Sequence, residues 1–265
     1  MFTTVIICTT ILLALLTFCF VVLRGVSNPR SMLFGTVVHR GVDPQRRTVA
    51  LTFDDGPDDS VTPVILEILR REKVPAAFFV IGSNAVDQSA LLSKIHADGH
   101  VLGNHSFTHS HGGSLRWSRY WDEEFARTDA LISSAIGLRP AFFRPPMGLR
   151  NPRMMKSARN RGYTTITWSC RGFDGVRTTS KRILARLART IRSGSIIVLH
   201  DGTDPFGRRD PQATIDALPL LIAKIRARGF EFVRLDELIG VEPYLPADHD
   251  GDAVSSFLGD HPERH

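Results

Sequence analysis

From residue 47 onward the chain alternates short apolar runs with amphipathic stretches. The apolar runs predict strands over Thr48–Phe53, Ala76–Ile81, His100–Asn104, Ala141–Arg144, Thr164–Trp168, Ser195–His200 and Glu231–Arg234. Between them, apolar positions recur at helical spacing over 61–72, 87–98, 118–136, 151–161, 180–192 and 211–228. Several of these stretches close on glycine (Gly99, Gly137, Gly162, Gly194, Gly229), which takes the left-handed conformation that a helix C-terminus wants. Strand and helix alternating in this way imply parallel strands with right-handed crossovers, in a barrel or an open doubly wound sheet. No repeat at a solenoid period is present.

The first segment follows a different pattern. Thr4 to Leu23 contains no charge, Pro or Gly, and shows no polar stripe. A helix of this length rises about 1.5 Å per residue and spans about 30 Å, the thickness of a bilayer core. Residues 1–24 therefore read as a transmembrane anchor. A cleaved secretory signal is the rival reading, but no basic segment precedes the apolar run. The exit, Arg24-Gly25-Val26-Ser27-Asn28-Pro29-Arg30, has no Ala-x-Ala cleavage site. Residues 25–45 read as a juxtamembrane linker and 46–240 as the folded domain. The tail 241–265 carries Pro, Asp, Ser and Gly without hydrophobic periodicity and is expected to be mostly disordered.

Composition narrows the class without naming a function. With 43% hydrophobic and 23% charged residues, 21 Gly and 15 Pro, the 265-residue chain is neither collagen-like, disordered nor a disulfide scaffold. Its net charge of +6 suits an anionic partner such as a membrane surface, a phosphorylated lipid or a nucleic acid, without choosing among them. Cys8 and Cys19 lie in the apolar leader, which leaves Cys170 alone in the folded part and no disulfide to form there.

Candidate chemistry gathers where the predicted strands end, the side of a parallel α/β fold on which loops converge. Thr52-Phe53-Asp54-Asp55-Gly56-Pro57 closes the first strand with two adjacent carboxylates, although Asp-Gly-Pro also reads as a turn. His105 and His109 follow the third strand. Four residues apart, they would share one side of a helical turn and could bind one metal ion. His200-Asp201-Gly202 closes the Ser195–Leu199 run. Asp54, Asp55, His105, His109 and His200 all project from one predicted rim, which points to a metal centre with spare acid and base groups.

These motifs resemble the polysaccharide deacetylase family, also called the NodB-homology domain or carbohydrate esterase family 4. The resemblance covers 46–240 and rests on five motifs in the family's order, Thr-Phe-Asp-Asp-Gly-Pro and His-Ser-x-x-His being the most specific. It implies an irregular (β/α) barrel of about seven parallel strands, here preceded by one N-terminal transmembrane helix. By the same resemblance, Asp55, His105 and His109 match metal ligands for a divalent ion, usually Zn2+, with Co2+ or Ni2+ as alternatives. Asp54 matches the general base, His200 the acid, Asp174 the carboxylate that orients His200, and Arg144 the residue that orients Asp54. Met147 stands where the family has Tyr, a position whose backbone N–H helps bind the oxyanion. Trp168 and Val198 are expected to wall a small acyl pocket.

The chain also departs from the family pattern. In Trp168-Ser169-Cys170-Arg171-Gly172-Phe173-Asp174-Gly175, Arg171 replaces an Asp and Gly175 a Trp. Arg171 could reject the usual polymer, receive an anionic group such as a phosphate, or point to solvent. The basic helix bearing Lys181, Arg182, Arg186, Arg189 and Arg192 reads as a surface helix packed on the strands, with membrane binding as the alternative. Trp117, Tyr120 and Trp121 share helical spacing with Phe125, which favours packing over sugar stacking.

The expected activity is metal-dependent removal of an N-acetyl group from an amino sugar in a cell-envelope polysaccharide or lipid-linked glycan. The alternative is a catalytically silent carbohydrate-binding module on the same fold. The expected partners are that sugar and the cytoplasmic membrane, not nucleic acid. Arg24 and Arg30 favour a cytoplasmic domain by the positive-inside rule. Family habit favours the outer face, which is the expectation kept.

Overall fold

In a computed structural model, residues 2–110, 112, 116–202 and 210–246 are described. The chain begins with α1 (Phe2–Ser27), whose most apolar window is wholly uncovered by the rest of the protein. A core helix would be covered, so α1 is a candidate bilayer span by length, composition and exposure.

The domain begins with β1 (Thr48–Asp54), followed by α2 (Thr62–Glu72) and β2 (Ala76–Val80). Next come α3 (Gly82–Ala85), α4 (Ser89–Ala97), β3 (Val101–Asn104) and α5 (Ser118–Ile136). Three short strands, β4 (Leu138–Pro140), β5 (Phe142–Phe143) and β6 (Thr164–Thr165), bracket α6 (Pro152–Asn160). After β7 (Cys170–Arg171), α7 (Ser180–Thr190), β8 (Ser195–His200) and α8 (Pro211–Ala227), the chain ends in β9 (Glu231–Phe232), α9 (Leu235–Ile239) and β10 (Tyr244–Pro246).

The main sheet runs β6-β5-β3-β2-β1-β8-β7, with β9 paired to the start of β1, and every pairing is parallel. This is the expected irregular α/β barrel, and its edges β6 and β7 are not paired to each other. All seven β1 residues are buried, as a central parallel strand covered on both faces requires. Alternate residues face opposite sides. Val49, Leu51 and Phe53 join the layer beneath the outer helices, where Ile65, Leu69, Leu187 and Leu218 meet them. Ala50 belongs to the barrel interior with Ala77, Phe79, Ile166, Trp168 and Val198. Each fully buried large apolar side chain stabilises the fold by roughly 1.5–3 kcal/mol.

The segments at both ends of the domain are tied to it. Residues 25–45, read as a juxtamembrane linker, bridge to the sheet. Val38 bridges Ile166 beside β6, and Arg40 bridges Ser195 at the start of β8, so the segment reaches from one edge of the sheet to the strand next to the other edge. Arg150, almost wholly buried, donates to the backbone carbonyls of Gly25, Asn28 and Ser31, and Thr167 Oγ1 donates to Pro29 O at 2.7 Å. The tail begins later than expected, because Tyr244–Pro246 pair antiparallel with β4. Tyr244 Oη accepts from the Leu102 amide at 2.9 Å and sits 3.2 Å from His96 Nδ1, contacts that anchor the segment. The rest of the expected tail, 247–265, lies outside the described residues.

The remaining differences are small. β5, β6 and β9 are shorter than predicted, while α3, β4, β7 and α9 are not among the predicted elements. The five predicted terminator glycines all have positive φ.

Candidate active site

Sheet register assembles the rim. Asp54 at the end of β1 pairs with Phe79 on one side and His200 on the other, while Val80 pairs with Asn104 and Asn104 with Phe143. The residues just past those pairs are Asp55, His105 and Arg144, so one line across the sheet delivers all of them to a common edge. Gly56 and Gly202 let the loops after β1 and β8 touch. A Cβ on Gly202 would lie 2.2 Å from the Asp55 carbonyl oxygen, and one on Gly56 would lie 2.1 Å from Asp201 Oδ2. At Gly202 a larger residue meets backbone and would have to move the loops, whereas at Gly56 it would have to displace the Asp201 carboxylate.

Asp55, His105 and His109 converge, with one potential ligand atom from each within 4.8 Å of the others. His105 Nε2 and His109 Nε2 each lie 3.4 Å from Asp55 Oδ1. Two N or O ligands about 2.05 Å from a tetrahedral ion are about 3.4 Å apart, so this spacing suits a zinc-sized cation. His105 Nδ1 is 2.7 Å from the Arg144 carbonyl oxygen, which can only accept. Nδ1 therefore donates to that carbonyl, and Nε2 is the ring nitrogen turned toward Asp55.

The two histidines do not share a helical turn, contrary to expectation. They lie in a loop in which Ser106 (φ 67°) and His109 (φ 47°) are left-handed. Polar groups hold this conformation. Asn104 Oδ1 accepts from the Ser106 amide, and Ser106 Oγ accepts from the His109 amide. Glu124, buried on α5, accepts from the amides of Phe107 and Thr108 at 3.0 and 2.8 Å.

Asp54 faces a different partner. Its Oδ1 accepts from Arg144 Nη1 at 2.6 Å, and that nitrogen also donates to Thr52 Oγ1 at 2.8 Å. The guanidinium is fully buried and lies 3.9 Å from the Phe79 ring centroid. Burial lowers the Arg144 pKa, and Asp54 opposes that shift. Removing either partner would strand a buried charge. Asp55 itself is held well below the usual carboxylate range. Burial would raise it, but the His105 hydrogen bond and the charges of His200, His109 and His105 together prevail.

Across the rim, fully buried Asp174 grips His200 at two points. Its Oδ1 lies 2.9 Å from His200 Nδ1, its Oδ2 accepts from the His200 amide at 2.9 Å, and Thr214 Oγ1 donates to Oδ2 as well. Burial pushes the Asp174 carboxyl up, but the His200 charge and these hydrogen bonds bring it below its ordinary value. The ring orientation leaves Nε2 as the nitrogen that faces away from Asp174. Gly175 underlies the imidazole, since a Cβ there would be 3.1 Å from Cε1 and 3.3 Å from Nε2.

Trp168 and Val198 are both buried in the barrel interior. Met147 occupies a left-handed position (φ 55°) in the tight turn Pro146–Gly148, beside Gly148, whose Cβ position would be 2.5 Å from the Trp168 ring. Of the aromatic trio, Trp121 is buried with Phe125 and Phe143, whereas Trp117 is exposed under Arg153.

Sequence reasoning missed Glu124 and Asp201. Asp201 is buried, accepts from the Gly56 amide and from Thr62 Oγ1, and has its pKa raised to about 7. Burial is the main cause, reinforced by the charges of Asp55 and Asp54 against the Thr62 hydrogen bond. Its adjacency to His200 was the available signal. Glu124 gave none, because a Glu on an amphipathic helix reads as surface.

Known proteins place the chain in a family. The polysaccharide deacetylase family profile matches residues 41–166. A chitooligosaccharide deacetylase of Bradyrhizobium sp. is 33% identical over 198 residues, covering 72% of this chain and 90% of that protein. The Bc1960 peptidoglycan N-acetylglucosamine deacetylase superposes with a TM-score of 0.72 at 28% identity, over 77% of this chain and 93% of that one. A carbohydrate esterase family 4 pseudoenzyme from Bacillus anthracis superposes with a TM-score of 0.68 at 27% identity, over 77% of this chain and 68% of that one. With its parallel sheet, its rim and these relatives taken together, the chain belongs to the polysaccharide deacetylase family, the NodB-homology fold of carbohydrate esterase family 4.

Proposed function

We infer that this protein is a metal-dependent hydrolase that removes the N-acetyl group from an N-acetylglucosamine-type sugar of a cell-envelope glycan. The observation that carries the reading is the Asp55–His105–His109 triad flanked by a carboxylate held by Arg144 and an imidazole held by Asp174. Asp55, His105 and His109 would hold the ion, and Zn2+ fits their N,N,O donor set best, with Co2+ and Ni2+ as substitutes. A divalent ion bound there polarises the amide carbonyl and lowers the pKa of water from ~15.7 towards ~7.

The chain's own groups supply the proton transfers. Asp54, fixed on Oδ1 by Arg144, keeps Oδ2 as a base for the attacking water's proton. His200 Nε2 delivers a proton to the departing amine, and Asp174 keeps the tautomer and stabilises the imidazolium that precedes transfer. The Met147 amide is assigned to the developing oxyanion, and Trp168 and Val198 to the acetyl methyl.

α1 serves in this reading as the membrane anchor, residues 46–240 as the catalytic domain, and the catalytic face lies outside the cytoplasmic membrane. A phosphatase or fluorescent-protein fusion after His265 reports that side.

Full-length protein loaded with zinc or cobalt is expected to release acetate from N-acetylglucosamine oligomers or peptidoglycan fragments, and a chelator is expected to stop it. Loaded protein that binds these glycans yet releases no acetate would instead be a silent module. The Arg171 and Gly175 departures, together with a pseudoenzyme on this fold, give that alternative its footing.

A further inference from the structure

A cavity of about 470 Å³ opens beside the rim, between the segment that follows α1 and the outer face of α7. Four arginines line it: Arg30, Arg171, Arg186 and Arg189. No Asp or Glu is among its walls, and none of the four has a carboxylate within 4.0 Å among the described residues. Two of the four are held in place. Arg171 stacks on Phe173 at 3.8 Å, and Arg186 donates to Gly172 O at 3.2 Å and lies 5.1 Å from the same ring.

Like charges gathered in one partly enclosed space repel one another, and an entering anion offsets that cost. Guanidinium forks match phosphate oxygens in geometry as well as charge.

Two placements say which phosphate. Trp168 is a wall of this cavity and also abuts Gly148 and Arg144 of the reaction centre. Pro29 and Arg30 line the opposite side, directly after the end of α1 at Ser27, and at most ~3.6 Å of chain per residue separates them from it. With α1 in a bilayer, the cavity lies at headgroup level while sharing a wall with the centre.

We propose that the Arg30–Arg171–Arg186–Arg189 cavity is a phosphate-binding site that receives the phosphate of a lipid-linked amino sugar, whose N-acyl group enters the adjoining centre. The second half of this statement rests on the deacetylase reading, whereas phosphate binding stands independently of it.

Calorimetry on the full chain in neutral detergent, with inorganic pyrophosphate and N-acetylglucosamine 1-phosphate as probes, tests the site without any turnover. Both probes are expected to bind. The double variant Arg171→Gln, Arg189→Gln should weaken them by at least about tenfold. The melting temperature should not change, since both side chains are exposed. Lys181→Gln with Arg182→Gln removes as much charge from α7 outside the cavity and should leave binding intact. Absence of binding, or equal loss in that control, overturns the site.

Repeating the titration in nanodiscs separates the phosphate sources. Pyrophosphate binding that persists in phosphatidylglycerol as in phosphatidylcholine supports the sugar-linked phosphate. Binding abolished in phosphatidylglycerol alone means that a bilayer headgroup fills the cavity, and overturns the substrate half. A protein that binds both probes but deacetylates nothing would sink the enzyme reading and leave the phosphate site standing.

Discussion

Asp54 and Asp55 are neighbours in sequence with different partners. Asp55 turns through a left-handed backbone to the two imidazoles, while Asp54 stays in strand geometry and meets Arg144, ninety residues away in sequence. In the proposed reading, that separation lets Asp55 serve as ligand and Asp54 as base. Asp54→Asn keeps an acceptor for Arg144 but removes the proton acceptor, so turnover should fall by at least about 100-fold while metal stoichiometry stays unchanged. Activity near the parent level would remove the base assignment. Asp201 allows a test of the site's electrostatics. Its carboxyl, ordinarily near 3.8, is raised to about 7 in the fold. Between those pH values the folded state holds a proton that the unfolded chain has released. Asp201 therefore lowers stability progressively as pH rises, and the full loss is reached above the folded pKa. In chelator-treated protein, the urea midpoint of the parent should fall relative to that of Asp201→Asn between about pH 5 and about pH 7.5. Parallel profiles would contradict the raised pKa.

At the level of elements, the loop that carries the two candidate ligand histidines depends on α5. The loop from His105 to His109 has no regular structure of its own, and Glu124 bonds two of its amides from one helix turn while Asn104 ties its start to Asp129 and Tyr163. Supports of this kind fix ligand direction rather than supply it. Glu124→Ala should lower metal affinity by about 10–100-fold, measured by competition with a chromogenic chelator, while far-ultraviolet circular dichroism stays unchanged. An unaltered affinity would mean that the left-handed backbone at Ser106 and His109 holds without it.

Across the whole molecule, the segment after α1 is part of the barrel rather than a tether, because Arg150 fastens its carbonyls and residues 38–41 bridge toward both edges of the sheet. A domain docked this closely to a membrane helix would hold its rim at a set height above the bilayer. Expressed full-length chain should stay with the membrane fraction through an alkaline carbonate wash, and release into the supernatant would contradict the anchor. The alternation of apolar runs, the helix spans and the Asp-Asp and His-x-x-x-His motifs were readable in the linear chain, since periodicity and motif spacing are local properties. So were the glycines that follow α4, α5, α6 and α8. The pairing of Arg144 with Asp54 came only through the family resemblance, and neither the contacts of Glu124 with the loop from His105 to His109 nor the cavity that Arg30 shares with the arginines of α7 was readable. They join residues separated by long stretches of chain, and only strand register, left-handed loop residues and the fold of the segment before β1 bring them within reach.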